Sequence, residues 1–486
     1  MRYKGYWLCS FCLLAIPFAS KSANQNALFV RAVFVQGNDN TDTSIVLREL
    51  SFKPGDKIDA TELTHVKNEA TNAVYRLGLF SEVKVLFSVV YADTIEAVVH
   101  VRERFAHHPQ PLLQLADRNF TDWWENQHHN FDRLVLGATY MNLNLSGHND
   151  KFWLSGFGGY SKGAALGYQL PYFTKRSISG IELAAKFSTT KQVKAYTLAD
   201  EQKNLADSQS VFREWMAGCV LRHRVTSTQS LMEGIHFYDV QVADKVVALN
   251  PHYLGDSANR YTAVIGSIRF EDDKRDAKNY PLKGYYWSLE NENWFGLNRK
   301  MNINNFFSSL SVFQPLGKGF YISAQVKSKI SLPFYKSYYL QKGLGYEQDY
   351  VRGFENKVID GQHFVLMKLN VKCKLFDTRL TLFKRQHKPL VNRARLAAFA
   401  KTYFDAGYVH STSGGTDGRL PKHLVLGMGG GIDVIAWYDM IVRLEYSVSH
   451  PVAKGAAWQY GFHLSFDVDL SDGMHISKRL KNLFSY

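Results

Sequence analysis

Trp458-Gln459-Tyr460-Gly461-Phe462-His463-Leu464-Ser465-Phe466-Asp467 places Trp458, Tyr460, Phe462, Leu464 and Phe466 on one face of an extended chain and the polar or small residues between them on the other. The same sorting recurs upstream. Phe320, Ile322, Ala324 and Val326 oppose Tyr321, Ser323, Gln325, Lys327 and Lys329, and Met440, Val442, Leu444, Tyr446 and Val448 oppose Arg443, Glu445, Ser447 and Ser449. From Pro111 to Val468 the chain repeats such segments of about ten residues, separated by turn residues, which is the pattern of a transmembrane antiparallel β-barrel. A soluble sandwich also alternates, but it turns its polar face outward.

The segments number about sixteen. They begin near Leu112, Arg133, Lys151, Gly163, Ser177, Val211, Ser230, Arg260, Gly284, Ile303, Gly319, Gln362, Arg393, Leu424, Met440 and Ala457. Their connections mostly alternate long and short: Asp117 to Asp132 and Thr189 to Ser210 are long, Ser146 to Asp150 and Thr226 to Gln229 short. Long loops outside and short turns in the periplasm, with both chain ends on the periplasmic side, fit that alternation. The sixth long connection, Ser331 to Gly361, runs to about 30 residues, a length that compact folds seldom carry without a functional reason. It contains Tyr350-Val351-Arg352-Gly353-Phe354.

Composition agrees. Aromatic residues make up 14% of the 486-residue chain and prolines are few. Beyond the N-terminus no run of about 18 apolar residues marks a membrane-spanning helix. Residues 1–22, with Arg2 and Lys4 before an apolar stretch from Tyr6 to Ala19 and then Ser20 and Ser22, read as a secretory signal peptide. Cys219 and Cys373 are then the only cysteines of the exported chain, so no disulfide framework is expected. The net charge of +14 is scattered over strands and turns. It suits a solvated lumen and anionic lipid head groups better than nucleic acid, which is not an expected partner.

Ahead of the barrel, residues 27–105 change period. A strand over Phe29–Gln36 ends on Gly37-Asn38, helical patterns cover Thr43–Leu50 and Ala60–Leu77, and strands cover Val83–Val90 and Thr94–Val101. In the second helix Leu63, Val66, Ala70, Ala73, Val74 and Leu77 form one apolar face, and Gly78 stops it. The expected unit is a small α+β domain of βααββ order, two helices covering a three-stranded sheet.

The residues Val35-Gln36-Gly37-Asn38, Leu47-Arg48-Glu49-Leu50, Pro54-Gly55-Asp56, Leu77-Gly78-Leu79-Phe80-Ser81-Glu82-Val83 and Val99-His100-Val101-Arg102-Glu103-Arg104 resemble the polypeptide-transport-associated (POTRA) family. Gly37, Asn38, Gly55, Gly78 and Phe80 carry the resemblance, which implies a periplasmic module that receives unfolded polypeptide at a sheet edge. The barrel resembles that of the BamA/TamA outer-membrane assembly superfamily, also called the bacterial surface antigen family. Val351-Arg352-Gly353-Phe354 with Gly361 is similar to its sixth-loop motif, and Asp273-Lys274-Arg275-Asp276 with Pro281 and Gly284 to its periplasmic turn motif. Tyr403-Phe404-Asp405-Ala406-Gly407 is similar to its thirteenth-strand motif and Gly427–Ile432 to its glycine-rich fourteenth strand. The chain departs from the family in having one amino-terminal module where many members have several. Leu369-Asn370-Val371-Lys372 stands where an acidic residue and an arginine are frequent, and a tail over 469–486, with Lys478, Arg479 and Lys481, follows the last strand. Phe466 is then the candidate for the family's terminal aromatic.

Arg352 carries a fixed charge, tolerable inside a barrel only beside a carboxylate that fits its fork. The resemblance puts Asp405 on the inner wall opposite the loop. The expectation is therefore a latch in the lumen formed by Arg352, Gly353, Phe354, Asp405 and Gly407. Other chemistry fails on context. Gly159-Tyr160-Ser161-Lys162-Gly163 matches the serine-hydrolase elbow but lies between two strand patterns and reads as a hairpin turn. His107-His108 and His128-His129 read as loop histidines without a completed ligand set, so no metal or other cofactor is expected. Gly427–Gly431 lacks the Lys-Ser/Thr of a phosphate loop, and its glycines let something approach the strand closely.

These readings imply a non-enzymatic assembly or translocation factor in the outer membrane of a Gram-negative bacterium. Its partners would be unfolded outer-membrane or secreted polypeptides, outer-membrane lipids and periplasmic accessory proteins. The alternatives are a secretion pore dedicated to one partner protein and a passive channel.

Overall fold

The computed structural model describes residues 27–467 apart from 92, 117–122, 125–127, 175–177, 227, 334–336, 347, 382–392, 412–417 and 437–439. The expected signal peptide (1–22) and tail (469–486) lie outside the described residues, as does the side chain of Phe466. The chain divides into two units, a smaller N-terminal one and a larger one that runs from Arg104 onward and includes Asn40–Ile45.

The N-terminal region runs β1 (Ala27–Gln36), α1 (Thr43–Arg48), β2 (Lys57–Asp59), α2 (Leu63–Tyr75), β3 (Phe80–Tyr91) and β4 (Thr94–Glu103). Its sheet has four strands in the order β2-β1-β4-β3, with β1 parallel to β4 and the other pairs antiparallel. The strand beyond the expected three is β2, whose three residues are too short to display alternation yet pair with Ala27, Leu28 and Phe29. Ala70, Ala73 and Val74 of α2 are buried, as are Val83, Val85, Ile95, Ala97, Val99 and Val101, one face of β3 and β4. Phe34 and Leu86 point the other way and are exposed. Gly37 takes φ +86°, and a Cβ there would lie 2.1 Å from the Val101 carbonyl oxygen, so no other residue fits this strand exit.

The larger unit is one antiparallel sheet of sixteen strands. In chain order these are β5 (His107–Leu115), β6 (Leu134–Asn142), β7 (Lys151–Gly159), β8 (Ser161–Leu170), β9 (Ser179–Thr190), β12 (Phe212–Arg224), β13 (Gln229–Val242), β14 (Arg260–Asp273) and β15 (Gly284–Gly296). There follow β16 (Ile303–Gly317), β17 (Phe320–Leu332), β18 (His363–Thr381), β19 (Arg393–His410), β20 (Leu424–Ala436), β21 (Met440–Pro451) and β22 (Gln459–Asp467). Each pairs with its neighbour in sequence, except that β9 pairs with β12 because a separate hairpin, β10 (Gln192–Leu198) and β11 (Glu201–Ala206), is inserted between them. This hairpin occupies what the sequence presents as an unstructured long connection. A short helix, α3 (Asp244–Leu249), sits in another long connection.

Apolar residues face out. In β21, Leu444 is 51% exposed while Glu445 is 2% exposed, the inverse of a soluble sheet and the arrangement a strand needs between lipid and a polar interior. The sheet curls on itself, since Tyr280, in the turn between β14 and β15, hydrogen-bonds Asp433 on β20. The connections at one end are mostly short and those at the other mostly long, called here the turn end and the loop end.

Two expectations need correction. The first strand begins at His107 rather than near Pro111 or Leu112, so His107 and His108 are strand residues and not loop residues. His107 Nδ1 lies 2.6 Å from the Tyr140 hydroxyl. The prolines that disguise this strand have a positional meaning. Ala116 N–H donates to Arg133 and Leu143 N–H to Ala106, which fixes the even-numbered residues of β5 as those that bond β6. Pro109 and Pro111 are both odd, so the N–H groups they lack are missing from the outer edge of the strand. Among the described residues no ladder joins that edge to β22. At Gly159-Tyr160, β7 turns directly into β8 with Gly159 at φ +97°, and Ser161 is a buried strand residue, the hairpin turn expected of this motif.

Candidate functional site

The loop between β17 and β18 folds against the inner face of the sheet. Leu344, Val351, Phe354 and Ile359 from the loop pack with Phe364, Leu366, Val409, Leu420 and Val425. Leu344 and Ile359 exchange two backbone hydrogen bonds, and Phe354 N–H donates to the Val351 carbonyl at 3.0 Å, closing a tight turn at Arg352-Gly353. Gly353 takes φ +93°, and its N–H is met by both carboxylate oxygens of Glu355 at 2.9 Å. The Ser449 hydroxyl donates to the Gly353 carbonyl at 3.0 Å.

The turn aims Arg352 at the wall. Its Nε donates to Asp405 Oδ2 at 2.8 Å and its Nη2 to Asp405 Oδ1 at 2.5 Å, a fork on a carboxylate that is fully buried, and the Arg352 backbone N–H adds a third bond at 3.1 Å. Nη1 donates to Asn370 Oδ1 at 2.8 Å and to Glu445 Oε1 at 3.2 Å. The guanidinium also stacks on Tyr403, 3.7 Å from the ring centroid. Burial by itself would lower the pKa of Arg352; the bonds to Asp405 and the charge of Glu445 outweigh it and raise the pKa above its ordinary value. Asn370 thus takes part in the lumen pairing, although β18 offers no acid there, and the second carboxylate comes from β21 instead.

The loop backbone lies flat on β19 and β20 because glycines line them. A Cβ on Gly427 would stand 2.0 Å from the Arg352 carbonyl oxygen, and one on Gly407 would stand 2.6 Å from Val351 Cγ2. The residues expected as a latch, Arg352, Gly353, Phe354, Asp405 and Gly407, are therefore brought to one place. Glu355 in the same loop is buried, which pushes its carboxyl up to about 7 against the pull of the Gly353 N–H.

At the loop end, the tip of the β10–β11 hairpin holds the surrounding loops. Asp200 is buried, its Oδ1 accepts from the Arg419 and Leu420 N–H groups at 2.8 and 3.0 Å, and its carbonyl accepts from Val358 N–H at 2.8 Å. Lys357 donates to Glu201 at 2.6 Å. At the turn end, Arg275 forks onto Asp273 with bonds of 2.8 and 2.7 Å, and Asp276 Oδ1 accepts from the Leu282 and Lys283 N–H groups at 2.9 and 3.1 Å. Gly284 takes φ +101° beneath the Lys274 carbonyl. Asp273, Arg275, Pro281 and Gly284 thus shape one turn. In the N-terminal region Gly37, Gly55 and Gly78 take positive φ in turns, Asn38 follows the first of them, and Phe80 is buried in the core.

Tyr280, Asp433, Lys401 and Glu445 were not singled out from the sequence as site residues. An aromatic residue preceding a turn proline was the available signal for Tyr280; the other three are ordinary polar positions of alternating strands. Among the described residues no group of three His, Cys, Asp or Glu side chains could hold a metal ion, and Cys219 and Cys373 are unpaired thiols.

Residues 29–104 match the family model for the POTRA surface antigen variable number repeat. No curated protein matches the sequence. The fold is similar to that of BamA from Haemophilus ducreyi lacking POTRA domains 1–3, with TM-score 0.56 at 15% identity over 90% of this chain and 85% of that one. It is also similar to CdiB from Acinetobacter baumannii, with TM-score 0.52 at 10% identity over 91% of this chain and 74% of that one. The chain thus joins a region that matches the POTRA family to a sixteen-stranded sheet with the fold of the BamA barrel.

Proposed function

We propose that this chain is a non-enzymatic protein of a Gram-negative outer membrane that receives unfolded polypeptide on its POTRA domain and hands it to the barrel. The observation that supports this reading is that both units end in edge strands. The POTRA sheet ends on β3, twelve residues long, and the barrel sheet ends on β5 and β22. An edge strand presents a row of backbone donors and acceptors with which an extended segment can pair. In lipid an unpaired backbone group is costly, so a client strand gains by pairing with the barrel edge. In this reading the turn end and the POTRA domain face the periplasm, accessory proteins meet the POTRA domain, and outer-membrane lipids meet the apolar outer face. Client folding supplies the driving energy.

The test is photo-crosslinking in cells. A crosslinker at Leu86 or Ser88 on β3 should capture client polypeptide, and one at Asn68 on the exposed side of α2 should not. Equal capture from both sites would overturn the reading. Depletion then separates its branches: loss of many barrel proteins supports insertion, and loss of one secreted protein with the barrels intact supports a dedicated pore. A depleted cell whose exported proteins are unchanged would favour a passive channel instead.

A further inference from the structure

Tyr280 stands out in the turn between β14 and β15. Its ring is 7% exposed and packs with Ala397, Phe399, Ile435 and Ile441, residues of β19, β20 and β21. The Phe399 ring lies 5.1 Å away, and Lys372 Nζ lies 3.9 Å from the tyrosine ring centroid. Its hydroxyl donates to Asp433 Oδ2 at 2.8 Å. The other oxygen of Asp433 accepts from Lys401, and Lys401 also reaches Glu445 Oε1 at 2.8 Å. That same Glu445 oxygen is the one that accepts from Arg352. One carboxylate oxygen therefore serves the cation tied to the turn end and the cation of the loop latch.

We infer that Tyr280 is a second latch, coupled to the Arg352 latch through Asp433, Lys401 and Glu445, so that withdrawing the β14–β15 turn from the interior loosens the loop between β17 and β18.

Three observations carry this. First, every member of the series is buried: Lys401, Asp433 and Glu445 side chains are at most 3% exposed and Arg352 is 7% exposed. A change in one partner is then met by the others rather than by bulk water. Second, the Tyr280 O–H and the Lys401 ammonium take the two oxygens of Asp433, with Lys372 and Arg443 close by, so the O–H offsets charge at Asp433 that Lys401 must otherwise meet more fully. Without that O–H, Lys401 is drawn to Asp433 and away from Glu445. Glu445 then pulls harder on Arg352 and strains its fork on Asp405. Third, the turn is braced by Asp276 and by the Arg275–Asp273 pair, so Tyr280 moves with the turn as one piece. The inference does not depend on where a client leaves the barrel.

The test is amide hydrogen exchange on the full-length protein in detergent micelles, with heat-modifiable gel mobility confirming that each variant is folded. Tyr280→Phe keeps the ring and removes only the hydroxyl. The amides of Leu344, Gly345, Phe354 and Ile359 should then exchange about tenfold faster, the scale of one hydrogen bond to a charged group. Lys401→Met should speed the same amides, and adding Tyr280→Phe to it should change them little further. Unchanged exchange in the loop, whether or not residues 274–283 become faster, would overturn the inference. So would a full additional effect of Tyr280→Phe in the Lys401→Met background, because the route would then bypass Lys401.

Discussion

The guanidinium of Arg352 lies over the ring of Tyr403, 3.7 Å from its centroid, and the Tyr403 hydroxyl is itself bonded to Ser447 at 2.6 Å. The loop arginine is thus held by a planar stack as well as by the fork on Asp405. Lysine can supply neither. Arg352→Ala is predicted to destabilise the barrel by about 3–5 kcal/mol, the cost of leaving a buried carboxylate without its partner. Arg352→Lys should recover less than half of that. In a double-mutant cycle with Asp405→Ala, the combined loss should fall short of the sum by about 2 kcal/mol. Guanidinium unfolding of the protein reconstituted in lipid vesicles measures all three; independent, additive effects would show that the pair does not couple.

Gly427→Ala is predicted to unseat the loop without touching a charge. Its methyl would meet the Arg352 carbonyl oxygen, which belongs to backbone and cannot swing aside. A loss of about 1–3 kcal/mol is expected for such overpacking. Gly461→Ala is the control, since nothing lies within 4 Å of a Cβ there. Protease cleavage within residues 344–361 should rise in the first variant and stay at the wild-type rate in the second.

Glu355 predicts a pH dependence of the loop. Burial raises its folded pKa to about 7 from an ordinary 4.5, with Gly353 N–H, Glu445 and Lys368 as its charged or polar surroundings. An acid whose folded pKa is raised favours the folded state when protonated. Its contribution is complete below about pH 4.5 and is lost as the pH rises through about 7. The loop should therefore be held more firmly at pH 5 than at pH 8 (about the limits of that window). Glu355→Gln should flatten the difference. The comparison of the two proteins by hydrogen exchange, corrected for intrinsic rates, isolates this residue from others that titrate.

Replacing Pro109 and Pro111 together by alanine returns two N–H groups to the outer edge of β5. Each restored backbone hydrogen bond is worth about 1 kcal/mol. The edge should then pair more persistently with β22 and be less available to a client. A photo-crosslinker at Leu113 should capture about fivefold to thirtyfold less client in the double variant, the range that one or two such bonds imply. Undiminished capture would show that the prolines do not tune this edge.

The barrel was legible because each spanning strand must satisfy lipid on one side and a polar interior on the other, a demand written at period two in segments such as Phe320–Leu332 and Met440–Pro451. It failed where that demand was absent or disguised. The β10–β11 hairpin has no lipid face, and Leu205 is the one large apolar residue of β11. Strand β5 opens on His-His-Pro-Gln-Pro, a run that looks like a loop until the direction of the missing N–H groups is known. The site divides in the same way. Arg352 and Asp405 could be named in advance from motif resemblance and the cost of a buried charge. Glu445, Lys401, Asp433 and Tyr280 could not, because they come from different strands and a turn that only the curl of the sheet brings together.

The tip of the β10–β11 hairpin reverses a common rule of protein engineering. Hairpin tips are ordinarily the safest places to insert foreign sequence. Here Ala199 and Asp200, both at positive φ, form a tip that is tucked in and bonded to two other loops, while Ser208, Gln209 and Ser210 at the hairpin's base are exposed. A foreign epitope meant to stay accessible belongs at the base of this hairpin, and not at the tip, where it would pry the surrounding loops apart.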